Sequence, residues 1–316
     1  MADPPAVENS EASPTRSDLL GSLAVIAAAA CWGTSGVFVK LAANHTNISA
    51  LSLAFWRDTT TFAILVTGLA ILRPSWLRVR RRDLVWLIGL GASLGVFHLL
   101  WNLGVLLNGA AVATVQQAAM PAIVAIAAWA IWRESLTWYK ILAITLTFVG
   151  TVLVSGLDFL GQAALSPGGV LIGLGIPVTY ASWTLFGKQV RAVYNPFTTL
   201  TYAFGFGALV LLPFQPFAHQ PWPVPPPAWL FFAGLIGVST ILPFALYTFA
   251  LGGLPASIAS ILAMSEIAFV SVYAYVLLGE RLSASQILGT ILVVGGVLQL
   301  SLGRQRSRQI QQAAEH

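Results

Sequence analysis

Apolar runs of about twenty residues, separated by short polar breaks, fill nearly the whole chain. They fall at 19–42, 49–72, 84–107, 111–132, 137–156, 169–190, 197–217, 228–251, 255–278 and 283–303. A helix needs roughly 20 apolar residues to cross a hydrocarbon core about 30 Å thick. The pattern therefore predicts ten transmembrane helices and an all-α integral membrane protein. The connections are short and leave no room for a soluble domain. Pro121, Pro177, Pro213 and Pro243 interrupt helices without ending the apolar runs, and a proline-rich stretch from Trp222 to Pro227 reads as a stiff outer connection.

Composition agrees with this. Hydrophobic residues make up 57% of the chain and charged residues 9%, against about 25% charged in ordinary soluble domains. The net charge of +5 does not point to nucleic acid, because the basic residues follow topology. With the N-terminus in the cytoplasm, the connection after the second span faces inward and carries Arg73, Arg78, Arg80, Arg81 and Arg82. Arg133, Lys140, Lys188 and Arg191 flank later inward connections, and Arg304, Arg306 and Arg308 follow the last span. Of sixteen basic residues only Lys40, Arg57 and Arg281 fall elsewhere. Asymmetry of this kind sets orientation, so both termini are expected inside a bacterial inner membrane. The polar residues 1–18 lack the basic start of a cleaved signal, so the first apolar run is expected to remain as an anchor. Cys31 is the only cysteine, which excludes an intrachain disulfide.

The two halves repeat. A shift of 148 carries Trp32, Thr34, Phe38 and Lys40 onto Tyr180, Ser182, Phe186 and Lys188. A shift of 146 carries Trp101 onto Tyr247, Asn102 onto Thr248, Glu134 onto Glu280 and Gly150 onto Gly296, and a shift of 144 pairs Met120 with Met264. Five spans per half is an odd number, so the second half enters from the opposite side, as an inverted repeat. The expected organisation is a cytoplasmic tail at 1–18, a first repeat at 19–156 and an outer linker at 157–168. A second repeat at 169–303 and a basic cytoplasmic tail at 304–316 follow. Inverted repeats recur in secondary transporters, with the substrate site near the midplane where the halves meet.

An acidic residue and Leu between an apolar helix and a Gly-bearing apolar helix occurs once per half. The segments are W-R-E-S-L-T-W-Y-K-I-L-A, from Trp132, and L-G-E-R-L-S-A-S-Q-I-L-G, from Leu278. This arrangement resembles the EamA-type members of the drug/metabolite transporter superfamily, over about 19–303. Within them, the Trp-rich span starts and the H-L-L-W-N segment from His98 to Asn102 look most like the YddG-type aromatic amino acid exporters. The resemblance implies a ten-helix fold and export of amino acids, drugs or other metabolites.

The polar and aromatic residues inside the spans are the candidate chemistry. Trp32, Trp101 and Trp183 lie deeper than the interfacial belt where membrane Trp usually collects; each either stacks an aromatic ligand or packs between helices. Thr34, Tyr180 and Tyr247 accompany them through the repeat. Gly91, Gly95, His98 and Asn102 share one helical stripe. The glycines admit a close backbone, while His98 and Asn102 face protein or a watery cavity, as ligand contacts or as internal hydrogen-bond partners. Gln116 with Met120 and Ser260 with Met264 form a symmetric pair, either a cavity floor or core filler. Glu266 lies near the middle of the ninth span, where a carboxylate is a functional hypothesis by default. It is the candidate for proton coupling, or a structural group bonded to Tyr273. By helical angle it points away from Met264, so the two are not expected on one cavity. Arg57 and Asp58 enter the second span together and need separate partners; Arg57 either holds a substrate carboxylate or braces the bundle.

A pathway rich in aromatics, hydroxyls and amides suits a small neutral amphipathic solute, aromatic amino acids above all. The alternative on the same fold is a multidrug or lipophilic-cation exporter, which would need an acidic residue in the cavity. An intramembrane enzyme or a sensor is more remote: no H-E-x-x-H motif occurs. The expected partners are the small-molecule substrate and the lipid bilayer. No cofactor, metal or nucleic acid is expected, and a monomer is favoured.

Overall fold

The computed structural model describes residues 16–46, 48–154, 167–218, 226–278 and 283–314. Residues 1–15 of the N-terminal tail, most of the 157–168 linker, most of the proline-rich run and the second acidic motif's Glu280–Leu282 lie outside them. The helices are α1 (Arg16–Trp32), α2 (Ser35–Thr46), α3 (Ala50–Leu72), α4 (Leu84–Gln117), α5 (Met120–Trp132), α6 (Trp138–Val154) and α7 (Pro167–Arg191). They continue as α8 (Pro196–Leu211), α9 (Trp229–Ile236), α10 (Leu242–Leu251), α11 (Ala256–Ala263), α12 (Glu266–Leu278) and α13 (Ala284–Ala314). Among the described residues there is no strand. Six stretches are long and apolar enough to cross a membrane: Asp18–Val39, Ala50–Leu72, Arg81–Gly104, Pro196–Phe217, Trp229–Leu251 and Ala256–Tyr273. Three shorter apolar helices are Met120–Trp132, Trp138–Val154 and Ala284–Leu300.

Helix boundaries depart from the apolar runs in an ordered way. The first run breaks at Gly33–Thr34, the fourth at Ala118–Ala119 and the ninth at Met264–Ser265. The last two breaks are related by the repeat shift of 146. Pro121 explains one of them, since it has no N–H for the Gln117 carbonyl four residues back. Proline also follows the wide π turn at Gly237–Ile241, where Pro243 opens α10. Pro177, by contrast, lies within the unbroken α7.

Helical backbone runs on from Leu84 to Gln117, across the expected break near Asn108. It is not straight. A β-carbon on Gly104 would lie 3.4 Å from that of Ala113, whereas the steps from 104 to 113 would span about 13.5 Å in a straight helix. The chain therefore doubles back between them while keeping helical backbone.

The principal helix contacts all join the first half to the second. α6 packs on α13, α4 on α7 and α8, α3 on α8, and α1 on α10. α5 likewise meets α11. Exchanging the two halves leaves α6–α13, α3–α8 and α5–α11 in place and turns α4–α7 into α10–α1, whereas α4–α8 has no equally extensive counterpart. Glycine permits the closest of these contacts. A β-carbon on Gly95 would lie 2.7 Å from the Gly207 carbonyl oxygen, and one on Gly150 would lie 2.7 Å from that of Gly289. The Gly91–Gly95 stripe thus meets α8 backbone to backbone.

The end of the bundle that carries the arginine-rich connection is tied across elements. Tyr194 accepts from the Arg80 amide at 3.0 Å and donates to Asp83 at 2.7 Å. Tyr202 donates to the Leu77 carbonyl, and Trp76 stacks on Phe197. Glu134 accepts from the Ala256 amide at 2.9 Å and from the Ser257 hydroxyl, capping α11. Lys188 donates to the Leu254 carbonyl at 2.7 Å.

Two substitutions test this packing. Gly95→Ala should lower stability by about 1–3 kcal/mol, because its new methyl meets backbone that cannot yield cheaply. Glu134→Ala should cost about 1 kcal/mol by uncapping α11. Thermal unfolding in detergent reads both, and a Gly95→Ala protein as stable as the parent would contradict the close helix contact.

Candidate functional site

The breaks and the wide turn converge on one cavity. It is lined by Trp32, Ser35, Arg57, Phe97, His98, Trp101, Gln117, Tyr180, Phe244 and Glu266. These side chains come from both halves. Aromatic rings build most of the wall. Trp32 meets its repeat counterpart Tyr180 edge-on at 6.3 Å and Phe244 at 5.3 Å. Phe97 lies 4.7 Å from Tyr180. Behind them Trp183 stacks on Tyr247 at 5.2 Å. The cavity leaves about 30 Å³ for the centres of water molecules, room for one or two waters. A solute the size of an amino acid does not fit this space.

Arg57 is 3% exposed and donates to two neutral oxygens. Its Nε donates to Thr240 Oγ1 at 2.8 Å and its Nη2 to the Ser239 carbonyl at 3.2 Å. That carbonyl is available because its helical donor would be residue 243, a proline. The guanidinium also lies 5.9 Å from the Phe244 ring centre, within cation–π range. Thr34 secures the same turn from the other side, bonding Ser239 Oγ at 2.7 Å.

Asp58 points the other way along α3. Its Oδ1 meets His98 Nδ1 at 2.6 Å, with both residues essentially without exposure. Adjacent residues on a helix diverge, and Arg57 and Asp58 accordingly have partners on different helices. Gly207 makes room for the carboxylate: a β-carbon there would lie 2.7 Å from Asp58 Oδ2.

Glu266 opens α12, where the N-terminal end of a half-helix favours a negative charge. Its Oε2 accepts from Gln117 Nε2 at 3.2 Å, so the two broken runs related by the repeat meet here. Tyr273 is engaged elsewhere, donating to the Ala30 carbonyl at 3.0 Å beside the first break.

Of the residues singled out from the sequence, Trp32, Arg57, His98, Trp101, Tyr180 and Glu266 line the cavity. The others stand back from it in this conformation. Thr34 holds the Ser239 turn, and Asn102 donates to the Ala50 carbonyl at 3.2 Å. Gln116 packs against Gly173, leaving its neighbour Gln117 on the cavity. Met120, Trp183, Tyr247 and Met264 are fully buried in the core. Tyr247 pairs with Thr184 at 3.2 Å, and Ser260 donates to the Ser257 carbonyl. Met264 and Glu266 face different surroundings because the helix breaks between them. Sequence reasoning did not place Ser35, Phe97, Gln117 or Phe244 on the cavity. Phe244 follows Pro243 directly, which was the available signal. Among the described residues no group of three His, Cys, Asp or Glu could hold a metal ion.

A cavity at the crossing of two helical halves, walled by aromatics with a few buried charges, defines a membrane carrier. Residues 19–156 and 167–302 both match the EamA-like transporter family, and the chain belongs to it. It is 29% identical to the uncharacterized transporter YwfM of Bacillus subtilis strain 168, over 91% of this chain and 95% of that protein. It is 28% identical to the uncharacterized inner membrane transporter YicL of Salmonella typhimurium strain LT2, over 91% and 97%. An uncharacterized transporter of Archaeoglobus fulgidus is 29% identical over 58% of this chain and 63% of its own length. A solved crystal structure superposes with a TM-score of 0.76 at 18% identity, covering 90% of this chain and 98% of that one. That likeness concerns the fold. Together these relatives make the protein a multi-pass membrane transporter, not an enzyme by family.

His98→Ala should strand the Asp58 carboxylate without a partner and cost about 3–5 kcal/mol. Asp58→Asn in the same chain should restore much of that loss, measured as unfolding midpoint in detergent. Equal stability of the single and double variants would contradict the buried pair.

Proposed function

We propose that this transporter exports small neutral amphipathic metabolites, aromatic amino acids first among them, by alternating access. The observation that carries the proposal is a guanidinium and a carboxylate, Arg57 and Glu266, on the walls of one aromatic cavity. A zwitterionic amino acid presents the complementary pair. Arg57 suits its carboxylate, because a guanidinium can bond both oxygens. Glu266 suits its ammonium, and is also the group that would exchange a proton for it. Trp32, Phe97, Trp101, Tyr180 and Phe244 offer flat faces to the side chain. Thr34, Asn102, Gln116, Met120, Trp183, Tyr247, Ser260 and Met264 form the layer behind, reached as the walls part.

In this proposal ten spans form two inverted repeats, the arginine-rich end faces the cytoplasm with both termini, and the host membrane is a bacterial inner membrane. The functional type proposed is that of the YddG-type aromatic amino acid exporters. Export of lipophilic cations is the second reading, favoured by the position of Glu266 on the cavity wall. Arg57 on the same cavity opposes it, since a buried cation repels another.

Uptake of labelled tryptophan into proteoliposomes tests both. Saturable flux above empty liposomes, competed by phenylalanine, is expected. Tryptamine lacks the carboxylate and indole-3-propionate the ammonium, so each should compete at least about ten-fold more weakly than tryptophan. Arg57→Gln should reduce flux by a similar factor. Tryptamine competing as well as tryptophan would move the assignment to cation export, and absent flux with folded protein would contradict amino acid transport.

A further inference from the structure

Among the described residues that line the cavity, His98 alone has a buried ring nitrogen without a hydrogen-bond partner. Its Nδ1 lies 2.6 Å from Asp58 Oδ1. Its Nε2 is buried and unpartnered, and the ring itself borders the cavity. His98 is 1% exposed and Asp58 is 0% exposed, so no bulk water competes for either.

The state of the ring follows from its neighbours. A carboxylate oxygen only accepts, so Nδ1 carries the hydrogen. Arg57, on the same cavity and against the same Phe244 ring, already places one buried cation near His98. A second buried cation on His98 would add desolvation cost and repulsion. The imidazole is thus neutral, and its Nε2 carries an unpaired lone pair in a ring that borders the cavity. Phe204, 6.1 Å away, and Phe244, 5.6 Å away, hold the ring plane on its apolar sides. Phe97, Phe244 and Tyr180 line the cavity with it, alongside the polar Arg57, Gln117 and Glu266.

We propose that His98, locked in this tautomer by Asp58, selects among aromatic substrates for a ring that carries a hydrogen-bond donor, the indole N–H above all. This rests on the amino acid reading given above. An unpaired acceptor in a dry wall penalises a substrate that cannot satisfy it, and such sites discriminate far more sharply than apolar contact alone. Arg57 and Glu266 fix the amino acid backbone; His98 Nε2 reads the side chain.

The test compares tryptophan with 3-benzothienylalanine, in which sulfur replaces the N–H with little change of shape. Each competes against labelled tryptophan in proteoliposomes of the unmodified protein. Tryptophan should bind roughly ten- to a hundred-fold more tightly, and His98→Phe should bring the two within about three-fold. Nitrogen NMR of the histidine-labelled protein, assigned by difference from His98→Gln, should show Nε2 without a hydrogen. Equal competition by the two compounds in the unmodified protein, or a protonated Nε2, would overturn the proposal while leaving amino acid transport standing. Failure of both compounds to compete would instead remove the amino acid reading on which it rests.

Discussion

A backbone carbonyl that loses its helical partner inside a bilayer must find another, or cost several kcal/mol. The site depends on this constraint. Pro243 has no N–H to return to the Ser239 carbonyl, and Arg57 takes that oxygen instead. The wide turn at Gly237–Ile241 then offers Thr240 Oγ1 to the same guanidinium. Near the first break, the Ala30 carbonyl takes the Tyr273 hydroxyl, and Thr34 reaches the same turn through Ser239. Irregular backbone and buried polar side chains therefore occur together, each satisfying the other. A cavity with polar side chains on its wall is the natural consequence, because these groups cannot be turned toward lipid.

The breaks also govern which residues share a surface. At Met264–Ser265 the helix stops and restarts, so Glu266 reaches the cavity while Met264 stays in the core. At Ala118–Ala119 the matching interruption leaves Gln117 next to Glu266. Two breaks related by the repeat thus meet, and residues beside them give the carboxylate its partner. Packing between the halves gives these breaks a firm frame. The glycine contacts of α4 with α8 and of α6 with α13 bring backbones together at distances no larger side chain would allow.

Much of this was legible in the chain. Apolar runs mark the helices, and the matched residues at shifts near 146 mark two related halves. Trp32, His98 and Glu266 stood out because each is a poor choice for a lipid-facing surface. Faces inferred from helical period hold only while the helix is continuous, however; Met264 and Glu266 do face different surroundings, but across a break that the period does not show. No local pattern at Met264–Ser265 marks it; only the relation to Pro121 through the repeat hints at it. The Asp58–His98 pair was invisible for another reason. Its members are forty residues apart on different helices, and sequence spacing carries no distance across a tertiary contact. Arg57 was recognised as needing a partner, but its partner is a carbonyl freed by a distant proline.

The halves meet around a cavity too small for an amino acid, tied at the arginine-rich end by Glu134, Lys188 and Tyr194. Under the proposed alternating access, transport requires this cavity to open to each side in turn. Ser35 lies on the cavity wall and is 5% exposed. Replacing it with cysteine in a Cys31→Ser background places one thiol on the pathway. The most direct test is labelling of that thiol by an impermeant reagent, applied from each side of the membrane with and without tryptophan. Labelling from both sides, slowed by tryptophan, is the predicted result. A thiol reached from one side only, or one that tryptophan never protects, would contradict a substrate cavity shared by the two faces.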